Sequence, residues 1–152
     1  SYRIGNKYEN RIHGLYNTRI LGEEGSGTYY GTKKFIQWID KIKPDIIHIH
    51  NLHSNFLNYK LFFNYLKETQ IPVVWSLFDC WAFTGKCTHF TEIGCRKWES
   101  ECYDCPQLHT SGNVTWFFDK TKKLYNQKKE WFTNINLNVI VCSNWLKKEV
   151  EK

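Results

Sequence analysis

A chain of 152 residues, 41% hydrophobic and 17% aromatic, has enough apolar surface for the core of one domain and little more. No apolar run approaches the ~18 residues of a membrane span, and no signal-peptide pattern opens the sequence. The formal charge of +6 is spread along the chain and densest at Lys120 to Lys129 and Lys147 to Lys152. It suits anionic lipid headgroups or nucleotide phosphates, while the lack of a recognition motif argues against nucleic acid as a partner.

There is no Met, and Ser1 begins a polar stretch, so the chain reads as an internal piece of a larger protein. Residues 1 to 31 are polar and carry Gly22, Gly25, Gly27 and Gly31, a composition that predicts a mobile connector. A phosphate cradle at Gly22-Glu-Glu-Gly25-Ser-Gly27 is disfavoured, because no strand precedes it and Glu23 and Glu24 repel anions. From Thr32, Phe35, Ile36, Ile39 and Ile42 share a helical face that Pro44 ends. Asp45 to His50 predicts a β-branched strand, and Asn55 to Lys67 a helix burying Tyr59, Phe62, Phe63 and Leu66. Pro72 to Leu77 is the next strand, followed by a long cysteine-bearing loop. A helix then runs from about Thr115 to Phe132, Asn138 to Cys142 forms a third strand, and Ser143 caps a last helix.

This β-α-β-α-β order predicts an α/β, Rossmann-like parallel sheet with helices on both faces. Ligands of such sheets bind outside the carboxyl ends of the strands. Those ends are His50-Asn51-Leu52-His53, Phe78-Asp79-Cys80-Trp81 and Ser143-Asn144-Trp145, so one rim gathers the polar and aromatic groups. His48 fits a hydrogen-bonded core histidine, whereas His50 and Asn51 are as suited to sugar hydroxyls or phosphate oxygens as to a structural role. Asp79 is the lone carboxylate at its strand exit, placed to orient a hydroxyl, act as a base, or cap a turn.

Five of the six cysteines lie between Cys80 and Cys105. Cys80 and Cys142 sit in apolar contexts where a buried thiol is the default. Cys87, Cys95, Cys102 and Cys105 form C-x7-C-x6-C-x2-C on a loop expected to have no core of its own. A structural Zn2+ on these four supplies the missing folding energy; free thiols and disulfides are the alternatives.

The runs Pro44-Asp-Ile-Ile-His-Ile-His50-Asn51-Leu-His53, Pro72-Val-Val-Trp75-Ser-Leu-Phe-Asp79-Cys80-Trp81-Ala-Phe-Thr84-Gly85-Lys-Cys87, Cys102-x-x-Cys105-Pro106-Gln107 and Ile140-Val-Cys-Ser143-Asn-Trp145 resemble bacterial family 4 glycosyltransferases of surface polysaccharide synthesis. The resemblance implies that residues 1–152 are part of the N-terminal, acceptor-side domain of a retaining GT-B enzyme, with a Cys-rich loop over 78–112. The donor-binding domain would lie outside the chain, which alone would be inactive. It implies a nucleotide-sugar donor, a lipid-linked or glycan acceptor, and a cytoplasmic location, peripheral on an anionic membrane face. By the same resemblance Asp79 is the catalytic candidate, with His50, Asn51, Trp81, Thr84, Gly85, Ser143 and Asn144 binding substrate. Phe78 stands where the family usually has His, and Cys142 where it usually has Pro. These departures keep a second reading open, a non-catalytic, zinc-stabilised interaction module or a degenerate glycosyltransferase fragment.

Overall fold

The computed structural model describes residues 1–110 and 113–152, so the last two residues of the 78–112 loop fall outside the described ones. In chain order the elements are α1 (Lys7–Ile12), a π-helix (His13–Ile20), α2 (Tyr29–Ile42), β1 (Ile47–Ile49), α3 (Tyr59–Thr69) and β2 (Val73–Leu77). Short 3-10 turns at Trp81–Phe83, Phe90–Ile93 and Lys97–Glu99 follow, then α4 (Thr121–Phe132), β3 (Leu137–Val141) and α5 (Asn144–Val150).

The sheet order is β1-β2-β3, all parallel, with Ile49 beside Trp75, Trp75 beside Val139 and Leu77 beside Val141. This register puts the carboxyl ends of all three strands on one edge, as the alternation of periods predicts.

The covering of the sheet departs from expectation. Phe63 of α3 and Phe132 of α4 both pack on the Trp75 ring, with centroids 5.9 and 4.9 Å away, so these helices share one face. Strand order 1-2-3 requires this, because two successive right-handed crossovers in the same direction deposit their helices on the same side. The opposite face carries His48, Val74, Ser76, Asn138 and Ile140, of which His48, Asn138 and Ile140 are exposed. His48 is therefore not a core histidine; its imidazole bonds the Ser76 hydroxyl at 2.9 Å on the open face. Cys142 is likewise exposed rather than buried.

The first thirty residues are not a connector. Asn6 caps α1 by accepting from the N–H groups of Tyr8 and Glu9, and the Gly-rich turn closes onto the core. Gly25 has φ +76°, and a Cβ there would stand 1.8 Å from the Tyr59 ring, so only glycine fits. Gly25 N–H donates to His13 Nε2 at 3.1 Å. That ring nitrogen must accept, so the proton is on Nδ1 and donates to Thr28 Oγ1 at 2.8 Å. Burial pushes His13 down to about 4, keeping it neutral for this role.

α4 starts later than predicted, at Thr121, where the Asp119 side chain holds the first turn. Its Oδ1 accepts from Thr121 N–H at 2.8 Å, while Thr115 N–H and Trp116 N–H are committed to Leu108 and Arg19 carbonyls.

Candidate functional site

The rim is built from the three strand exits. His50 and Asn51 follow β1 and are exposed, and the Trp75 indole N–H holds the His50 carbonyl at 2.8 Å. Phe78 follows β2, is 54% exposed, and stacks on the His50 ring at 6.1 Å. Ser143 and Asn144 follow β3 and are exposed, with the Ser143 hydroxyl accepting from Leu146 N–H as the cap of α5. The structure thus brings His50, Asn51, Asp79, Ser143 and Asn144 to one edge of the sheet.

Asp79 is not a solitary acid. Its Oδ2 accepts from His53 Nε2 at 2.8 Å, and its Oδ1 accepts from Trp81 N–H at 2.8 Å. Burial raises the carboxyl, but the hydrogen bonds from His53 and Trp81 outweigh it and leave the group below its ordinary range. The same bond to Asp79 raises His53 against the opposing effect of its partial burial. His53 is a rim residue that the sequence placed at the strand exit but that was not among the substrate-binding candidates. Its signal was position: it stands three residues after His50, at the exit of the strand beside the one that delivers Asp79.

Trp81, Thr84 and Gly85 sit inward of the rim. Trp81 is buried, its indole N–H donating to Glu24 at 3.1 Å. The Thr84 hydroxyl donates to the Cys87 carbonyl, and Gly85 N–H to Cys102 Sγ at 3.2 Å. These three organise the segment behind the rim.

Glu24 is a second residue whose role the sequence concealed. It is 3% exposed and accepts from Tyr59 Oη, Trp81 Nε1 and Asn113 Nδ2 at 3.1, 3.1 and 2.6 Å. On the Trp81 ring, 3.6 Å from its centroid, lies the Lys128 ammonium, which donates to the Trp81 and Thr84 carbonyls. Carboxylate and ammonium thus fix Trp81 from its edge and its face, and through Trp81 N–H they fix Asp79.

The cysteine segment has a core of its own, contrary to expectation. Trp98 packs on Phe83 at 4.9 Å and on Phe90 at 5.0 Å, and Tyr125 Oη of α4 donates to the Trp98 carbonyl. Cys87, Cys95, Cys102 and Cys105 all line one small cavity of about 20 Å3. Cys87 Sγ and Cys105 Sγ are 3.9 Å apart, and the bond from the Cys87 thiol lowers Cys105 to about 7. Among the described residues, no group of three or more His, Cys, Asp or Glu is gathered closely enough to hold a metal ion. Cys80 is buried apart from this cavity, and burial pushes its thiol up to about 12.

The chain is 33% identical over 94 residues to an Escherichia coli (strain K12) protein described as "Putative colanic acid biosynthesis glycosyl transferase WcaC". The match takes in 59% of this chain and only 22% of that protein's length. No family model matches the chain, and no solved structure matches it. Over that part the chain is similar to a glycosyl transferase described as putative, and its strands form a Rossmann-like parallel sheet. Among the described residues no helix is long and apolar enough to cross a membrane.

Proposed function

We propose that the chain is part of the N-terminal, acceptor-side domain of a retaining GT-B glycosyltransferase, which moves a sugar from a nucleotide-sugar donor to a lipid-linked or polysaccharide acceptor. The observation that carries this reading is the His53–Asp79 pair, held on a rim where three parallel strands end together. Asp79 favours the protonated imidazole, which in that form offers a charge-assisted hydrogen bond to an acceptor or donor oxygen. Exposed His50, Asn51, Ser143 and Asn144 supply neutral hydrogen bonds of the kind that sugar hydroxyls use. Asp79 positions His53, and the Glu24–Trp81–Lys128 arrangement positions Asp79. The departing diphosphate needs cationic stabilisation from the donor side.

The test is nucleotide release by the product of the complete gene across a panel of nucleotide sugars. Asp79→Ala is expected to lower kcat roughly tenfold or more with the fold intact. Phe78→His puts an imidazole at the exposed position stacked on His50, and is expected to hold or raise kcat. No release from any donor, by the parent protein or by Phe78→His, would leave the second reading, a non-catalytic module stabilised by zinc.

We also propose that the cysteine cavity takes one structural Zn2+. Tetrahedral Zn–S bonds of about 2.3 Å place two sulfurs about 3.8 Å apart, which the 3.9 Å Cys87–Cys105 separation matches. Cys95 and Cys102 line the same cavity, and side-chain rotation toward that pair would complete a four-sulfur set. Burial raises the Cys102 thiol, and the Gly85 N–H bond to its Sγ opposes that shift.

A further inference from the structure

A broad concavity lies away from the cysteines, between the N-terminal helices and the segment just after His53. It encloses about 600 Å3 and is lined by Arg3, Lys7, Arg11 and Arg19, with Ser54 and Asn55 among its polar groups. Among the described residues no acidic one lines it. Glu9, the one carboxylate of α1, is bonded to Gly31 N–H. Among the described residues none of the four cations makes an ion pair, and all four are exposed. Arg19 additionally lies over the Trp116 ring, a contact that leaves its charge uncompensated.

The basic helices that the sequence singles out are different. Lys122, Lys123, Lys147 and Lys152 are each in an ion pair, and Lys128 is buried. Much of the excess charge near α4 and α5 is therefore neutralised locally, while that of the N-terminal cleft is not. Beside the cleft, Tyr8, Ile12, Leu15 and Tyr16 are 51 to 76% exposed. Their spacing makes one stripe along α1 and the start of the π-helix, adjacent to the stripe of Lys7 and Arg11. A basic stripe next to an exposed aromatic and aliphatic one is the pattern of a helix lying in a bilayer interface.

We propose that this cleft and stripe form a docking site for an anionic phospholipid surface, the cations taking lipid phosphates and Tyr8, Ile12, Leu15 and Tyr16 resting among the headgroups. The site opens one residue beyond His53, so a membrane there would lie next to the rim. The inference stands without the transfer reading, because its test requires no turnover.

The test is co-sedimentation of the chain with vesicles of phosphatidylcholine alone, and of equal parts phosphatidylcholine and phosphatidylglycerol, alongside calorimetry with inorganic pyrophosphate. The expected result is at least tenfold tighter binding to the anionic vesicles. Lys7→Gln/Arg11→Gln should lose at least tenfold, and Ile12→Ser/Leu15→Ser should also weaken binding at unchanged charge. Lys122→Gln/Lys123→Gln should bind as the parent does. All the substituted residues are exposed, Lys122 and Lys123 included; circular dichroism confirms folding. Equal binding to the two vesicles, parent-like binding by either N-terminal variant, or loss confined to the α4 variant overturns the proposal. So does saturable pyrophosphate binding without vesicle capture, which would make the cleft a site for a soluble anion.

Discussion

Both oxygens of Asp79 are engaged, one by an imidazole and one by a backbone N–H, so its chemistry is exerted through His53. The two pKa shifts define when the pair is charged. His53 is raised, so its contribution is complete below about 6.5 and is lost as pH rises through the folded value. Asp79 is lowered, so its contribution is complete above about 3.9 and is lost as pH falls through the folded value. A double-mutant cycle of His53→Gln and Asp79→Asn, followed by thermal unfolding against pH, should give a coupling of about 1 kcal/mol. It should be greatest between about pH 4 and pH 6.5 and fade on either side. Undiminished coupling at pH 9 would mean a neutral hydrogen bond and would remove the cation from the proposed mechanism. That Asp79 stands at a strand exit was legible in the sequence. Its partner was not, because pairing across neighbouring strands depends on a register that periodicity does not specify.

Among the elements, those that bury a regular stripe were the ones readable in advance. α2 and α3 present Phe35 and Phe62 to each other at 5.9 Å, and Pro44 ends the first of them as expected. The N-terminal helices hid because they are anchored by polar groups, Asn6, His13 and Glu24, rather than by an apolar face. Similarly, the cysteine segment carries an aromatic cluster whose members, Phe83, Phe90 and Trp98, follow no period. That cluster changes what zinc should do there. Protein purified without chelator is expected to hold about one zinc per chain, with Zn–S near 2.3 Å by X-ray absorption. Cys105→Ser and Cys87→Ser should each lower the occupancy. Chelation should raise hydrogen exchange within residues 84–105 while β2 and α3 stay protected, because Trp98 and Tyr125 retain their packing. Zinc-free protein with all four thiols freely titratable in the native state would end the metal proposal.

Across the whole molecule, separate stretches of chain meet at Trp81. Glu24 brings in the N-terminal turn, Tyr59 brings α3, and Lys128 brings α4, so the rim is braced by residues far apart in sequence. Sheet order and strand ends could be anticipated from alternating periods. This polar centre could not, since Glu24 reads as a solvated loop acid and Lys128 as one of a run of surface lysines. The brace has a thermodynamic signature. Burial lowers Lys128 to about 8, with Glu24 opposing the shift. A lysine depressed in the folded state binds fewer protons there than in the unfolded chain between that value and about 10.4. Stability therefore rises with pH through this interval, by on the order of 3 kcal/mol from this residue alone. In Lys128→Met the rise should disappear. The two proteins' unfolding free energies, measured by urea titration from pH 7.5 to 10.5, should therefore diverge as pH increases, with the parent gaining. Parallel curves would show that Lys128 titrates normally. Its ammonium would then be reached by water, and Trp81 would not be held by a desolvated charge.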